Sequence, residues 1–109
     1  MVKVIENEIY RIQIGQSAQE NWDLIDSAHA LDLWFHLEKF SSPHLILHMH
    51  MHDIPSNKII YECAQLVLEN SKYKNLKNIY VIYTFIKHVK KDSSKVGSVF
   101  TSNTKKIKL

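Results

Sequence analysis

The chain's 109 residues, 45% apolar and 23% charged, exclude a disordered or collagen-like protein and suit one domain around one core. Its single cysteine, Cys63, excludes an internal disulfide, and the longest strongly apolar run, Ile79 to Ile86, is far short of the ~20 residues that cross a bilayer. The net charge of +3 hides an asymmetry: residues 1–71 hold four Lys/Arg against ten Asp/Glu, and residues 72–109 hold ten Lys against Asp92 alone. One cationic surface or edge is expected, either for a phosphate-bearing partner or as a solvated face.

Met1-Val2-Lys3-Val4-Ile5-Glu6 turns acidic before the apolar core of a signal peptide can form. With no membrane span, a cytoplasmic or nuclear protein is expected. Ile9 to Ile14 alternates, with Tyr10, Ile12 and Ile14 on one side, and reads as a half-buried strand that Gly15 ends. Ser17 and Glu20 have capping-box spacing, with the carboxylate reaching back to the Ser17 N–H. The spacing predicts a helix from Ala18 to Ala28 that buries Trp22, Ile25 and Ala28.

In Leu31 to Glu38 the odd positions are apolar, and in His44 to His52 they are again Leu and Met. Both segments read as strands with an odd core face and a mixed even face. Residues 39–43 are short enough for a hairpin. One register then sets His36 opposite His44 and Trp34 opposite Ile46, with a shift of two equally allowed. Asp53 or Ser56 caps a second helix to about Asn70, with Pro55 in its first turn. Its stripe of Ile59, Ile60, Cys63, Ala64 and Val67 packs on a sheet. Cys63 reads as a small buried hydrophobe rather than a reactive thiol. Asn78 to Val89 is apolar on both faces, as in an interior strand. A basic loop, Lys90 to Lys95, precedes a weaker strand from Val96 to Leu109. The order β-α-β-β-α-β-β gives an α+β fold, a largely antiparallel sheet packed by two helices. The chain is expected to be a single domain over residues 1–109, without an internal repeat.

Five histidines, His36, His44, His48, His50 and His52, are expected on one sheet face. Successive residues of His48, His50 and His52 stand about 6.5–7 Å apart if extended, so a zinc site needs help from His36 or Asp32 on a neighbouring strand. A polar strand face without metal is the other reading, and no cofactor is expected. No nucleophile elbow, P-loop, H-E-x-x-H or G-x-G-x-x-G occurs. A non-enzymatic protein is expected. Trp34 lies between Asp32 and His36 on the mixed face. An exposed indole there suits stacking on an unpaired base; covered by a helix, it belongs to a second core layer.

Ile14-Gly15, Glu20-Asn21, Leu24, Asp32-Leu33-Trp34-Phe35-His36 and Ser42-Pro43-His44-Leu45 resemble the NFACT-R domain shared by NEMF and bacterial FbpA-type ribosome-associated proteins. Asp53-Ile54-Pro55, Cys63-Ala64, Asn70-Ser71, Lys90-Lys91 and Val96-Gly97 continue the likeness. It is closest to the single-domain branch, the coiled-coil domain-containing protein twenty-five family. Those relatives continue into a charged helical tail, whereas this sequence stops at Leu109. The family commonly has a Pro- or Gly-rich turn before its lysine motif, where this chain has Phe85 to Val89. The resemblance implies nucleic-acid binding, of RNA (tRNA or rRNA) first and DNA second, in translation or ribosome-associated quality control. By matching positions it implicates Asp32, Trp34, His36, Ser42, His44, Lys90 and Lys91.

Together these readings make the chain an RNA-binding adaptor. Lys87, Lys90, Lys91 and Lys95 neutralise phosphates, while Trp34, His36 and His44 contact base or sugar. Histidine protonation near pH 6 is expected to tighten anion binding. The alternatives are a module docking on ribosomal or quality-control proteins, with charge only steering the encounter, and the histidine metal site.

Overall fold

The alternation of the two central strands decides the architecture. The computed structural model describes residues 1–50 and 53–109. Its strands are β1 (Lys3–Glu6), β2 (Tyr10–Ile14), β3 (Leu33–Leu37), β4 (Leu45–Met49), β5 (Tyr80–Phe85), β6 (Val89–Lys91), β7 (Val99–Thr101) and β8 (Lys105–Lys108); its helices are α1 (Ala18–Ser27) and α2 (Asn57–Glu69). Six strands form one sheet in the order β1-β2-β4-β3-β5-β8, and β6 and β7 form a separate ribbon. All neighbours are antiparallel, so the expected α+β class holds. Leu33 pairs with Leu47 and Trp34 with Ile46. This is the first of the two allowed registers, and it brings the His36 and His44 rings within 5.2 Å.

The odd face of β3 and β4 carries the main core. Leu33, Phe35, Leu37, Leu45 and Leu47 pack with Ile12 and Ile14 of β2, Val81 of β5 and the predicted stripe of α2. The Cys63 thiol is fully buried there, and burial pushes it up to about 12, with Glu62 adding to the effect. Such a thiol is inert at neutral pH. Ser56 caps α2, its Oγ accepting the Ile59 N–H at 3.2 Å, so Pro55 stands before the cap and not in the first turn.

The even face carries a second core. Trp34 and Ile46 pack against Leu24 and Ile25 of α1, against Ala28 that caps its C-terminus, and against Val89 and Val99 of the ribbon. Trp22 departs from expectation. It faces the ribbon, and its indole N–H donates to the Ser98 carbonyl at 3.0 Å, so Leu24 takes the buried place on α1. The capping box is also displaced by one residue: Ser17 Oγ accepts the Glu20 N–H, but the Glu20 carboxylate takes the Gln16 N–H.

Three strand readings need correction. β1 is an exposed edge strand without an apolar face to signal it. The expected interior strand to Val89 ends at Phe85, because a 3₁₀ turn over Ile86–His88 redirects the chain into β6. In that turn the Ile86 and Lys87 N–H groups donate to the Asp32 and Ala30 carbonyls. No Pro or Gly is needed. The last expected strand is split into β7 and β8 by a turn in which Asn103 has φ 52°, a conformation Asn tolerates. Met51 and His52, at the end of the strand expected from His44, lie outside the described residues.

Gly15 is required by a close approach. A Cβ there meets Asn21 Oδ1 at 2.2 Å and the Asn21 backbone N at 3.1 Å. That oxygen accepts the His44 N–H at 3.1 Å, while the Gly15 N–H donates to the His44 carbonyl at 3.0 Å. Gly15→Ala is expected to cost about 1–3 kcal/mol by leaving the buried His44 amide unpaired. Urea unfolding checks the loss, and faster exchange of the His44 amide locates it.

Candidate nucleic-acid interface

A cleft of about 1120 Å³ opens on the even side of the sheet, between the entry to α1, the β3–β4 hairpin, the end of α2 and the β6–β7 hairpin. His36 and His44 stand in it, and the exposed Lys39, Lys72 and Lys95 line it.

The two histidines are held in opposite neutral tautomers. The Trp34 indole N–H donates to His44 Nδ1 at 3.0 Å, so that nitrogen carries a lone pair and the proton resides on Nε2. His36 Nδ1 lies 2.5 Å from the Leu37 carbonyl oxygen. An oxygen that only accepts requires Nδ1–H, which leaves Nε2 as an acceptor. Neither Nε2 has a partner among the described residues, where no fully sequestered side-chain N or O is left unpaired. Both therefore open on the cleft, one as donor and one as acceptor. The His36 ring lies parallel to Trp34, with centroids 5.6 Å apart, and edge-on to His44.

Both rings stay neutral at physiological pH. Burial pulls His44 down to about 3, with His36 adding to the shift. Burial also holds His36 below its ordinary value, against the opposing hydrogen bond to Leu37. The expected gain of histidine charge near pH 6 is therefore corrected for His44, where desolvation outweighs it, and for His36 desolvation displaces it to lower pH.

The other expected contacts are distributed differently. Trp34 is only 1% exposed, so its face is closed to a base. α1 and the ribbon cover it, as the alternative reading allowed. Asp32 accepts the His29 N–H and meets His48 Nδ1 at 2.7 Å, while Ser42 Oγ accepts the Leu37 N–H and donates to the Pro43 carbonyl. Both shape the hairpin. Of the four expected phosphate-binding lysines, Lys95 lines the cleft, and Lys87, Lys90 and Lys91 do not. Lys91 is committed elsewhere, 2.8 Å from Asp26 and over the Trp22 ring.

Lys39, Lys72 and Asn21 were not among the expected contacts. Lys39 was legible as the first residue of the linker joining the two histidine strands. Lys72 had no local signal, because the end of α2 meets this cleft only through the sheet order. Glu38 also lines the cleft, but Lys106 pairs with it at 2.7 Å.

Among the described residues, no three His, Cys, Asp or Glu side chains are grouped to hold a metal. His48 bonds to Asp32 and Gln13, and His50 to Glu6. His52 lies outside the described residues.

The family model for the NFACT protein RNA binding domain matches residues 1–103. The chain belongs to this family. It is 33% identical to coiled-coil domain-containing protein 25 of Bos taurus, over 96% of this chain and 53% of that protein. It is 34% identical to the Dictyostelium discoideum homolog, over 97% of this chain and 53% of that protein. It thus spans about half the length of these relatives. The solved C-terminal part of the fibronectin/fibrinogen-binding protein from Streptococcus suis shares the fold, with a TM-score of 0.83 and 21% identity over 99% of this chain and 43% of that one. In this NFACT RNA binding domain the W-F-H and S-x-H motifs divide their labour. Trp34 and Ser42 hold the hairpin, and His36 and His44 present nitrogens to the cleft.

His44 gives the fold a pH dependence. An unfolded histidine binds its proton below about 6.5, whereas the folded ring resists it down to about 3. Between these values the unfolded chain holds more protons, so stability is full above the window and falls as pH drops through it. The slope from this residue is up to about 1.4 kcal/mol per pH unit. Urea titrations at several pH values should show it, and His44→Asn, which keeps an acceptor for Trp34 but does not titrate, should reduce it. An undiminished slope in that variant would assign the effect to other groups.

Proposed function

We propose that this domain binds single-stranded RNA in the cleft, acting by binding and not by catalysis, in translation or ribosome-associated quality control. The carrying observation is the pair of neutral imidazoles, one donor and one acceptor, beside three exposed lysines. Phosphates meet Lys39, Lys72 and Lys95, which supply affinity without reading sequence. His44 Nε2–H and His36 Nε2 suit a base edge, or a 2′-hydroxyl that both donates and accepts. Membership of an RNA-binding-domain family supports a nucleic-acid partner. The role in translation rests on the likeness to ribosome-associated NEMF- and FbpA-type proteins. Catalysis has little support: the thiol is sealed in the core and both cleft imidazoles are bound and hard to protonate.

Fluorescence polarisation with single-stranded RNA, duplex RNA, tRNA and duplex DNA at several salt concentrations tests the reading. Three phosphate contacts on a single strand give a slope of log K against log salt of roughly −2. For a strand short enough to fill only the cleft, Lys39→Ala/Lys72→Ala/Lys95→Ala is expected to flatten it nearly to zero. His44 does not charge between about pH 6 and pH 8, so His36→Asn is expected to bind with matching affinity at the two values. An unchanged slope in the triple variant would remove the cleft from the contact, and preferred binding of duplex DNA would replace RNA as the ligand.

A further inference from the structure

The cleft leaves one part of the lysine-rich region unused. Along β6 and β7 the side chains alternate. Val89 and Val99 pack into the second core, and Lys91 is held by Asp26. Lys90 and Phe100 point to the opposite face and are register partners. Cross-strand partners have Cβ atoms about 4.5–5.5 Å apart. Phe100 is 64% exposed, the most open aromatic residue among those described. Lys90 is exposed and, among the described residues, makes no ion pair.

A lysine ammonium also stands beside an open ring where β5 gives way to the 3₁₀ turn. Lys87 Nζ stands 5.6 Å from the centre of the Phe85 ring, which is 39% exposed. The stretch from Phe85 to Phe100 therefore offers two aromatic–lysine couples, in the part of the chain where Asp92 is the only acid. Such a surface suits a ligand that is flat, apolar on its faces and anionic along its length. Acidic peptides meet the charge without using the rings. A single nucleic-acid strand meets both, since bases stack on aromatic faces whatever their sequence and phosphates follow the lysines.

We propose that the outer face of the β6–β7 ribbon is a second contact for single-stranded nucleic acid, with Phe100 stacking on a base and Lys90 holding the adjoining phosphate. This rests on the cleft reading, because a strand held there beside Lys95 leaves over the hairpin that carries this face. The ribbon supplies the open aromatic ring that buried Trp34 does not.

Polarisation titrations with a short single-stranded RNA that fills only the cleft and a longer one that also reaches the ribbon test this contact. For the longer strand, Phe100→Ala is expected to weaken binding about five- to a hundred-fold with the salt slope intact. Phe100→Tyr should retain affinity, and Lys90→Ala should make the slope shallower by about 0.7. The short strand should bind all three variants like the unsubstituted chain. Phe100 is exposed, so an unchanged thermal midpoint verifies that the fold survives. Equal affinity of Phe100→Ala and unsubstituted chain for the longer strand would overturn the ribbon contact. If the cleft triple variant is then still impaired, the cleft reading stands without it. Equal loss for both strands would also overturn it, by placing Phe100 in the primary site.

Discussion

The hydrogen bond from the Trp34 indole to His44 Nδ1 joins the protein's second core to its cleft. Burying an indole requires a partner for its N–H, and burying an imidazole requires that it stay neutral. Each requirement satisfies the other. The bond fixes the His44 tautomer, so the nitrogen left facing the cleft must be a donor. His36, stacked on the same indole but bonded to a carbonyl, is fixed the other way. Two identical side chains thereby acquire opposite hydrogen-bonding roles without any charge.

The surroundings serve that arrangement. α2 and the odd face of the sheet form a conventional apolar core that holds β3 and β4 in register. On the other face, α1 closes over Trp34 and sends Asn21 to the His44 backbone through the space left by Gly15. The β6–β7 hairpin completes the cover. Gly97, at φ 90°, lets its loop approach Ala18, where a Cβ meets the alanine side chain at 2.9 Å. Charge lies outside this frame. Lys39, Lys72 and Lys95 come from three separate connections, so the positive rim depends on the whole topology.

Local alternation made much of this legible. The odd and even faces of β3 and β4, their register and the buried stripe of α2 follow from apolar spacing, which is a property of neighbouring residues. What covers a face is not. Trp34 reads equally well as a stacking platform or as a core residue until α1 and the ribbon are placed, and only their placement makes it 1% exposed. Lysine density likewise identified a basic region without separating Lys95, at the cleft, from Lys91, which secures the ribbon to α1. β1 escaped notice because an edge strand exposed on both faces carries no apolar period. The histidine run suggested metal by composition, yet its described members bond to Trp34, Leu37, Asp32, Gln13 and Glu6.

The opposed histidine tautomers are open to direct observation. Long-range proton–nitrogen correlation spectra of the imidazole rings distinguish Nδ1–H, Nε2–H and the doubly protonated form. His44 should appear with its proton on Nε2 and remain neutral well below the ordinary histidine value of about 6.5, and His36 should appear with its proton on Nδ1 and a midpoint displaced below that value. Adding single-stranded RNA should shift both Nε2 signals. A shared tautomer, or a midpoint near the ordinary value for either ring, would contradict the buried donor–acceptor pair on which the cleft depends.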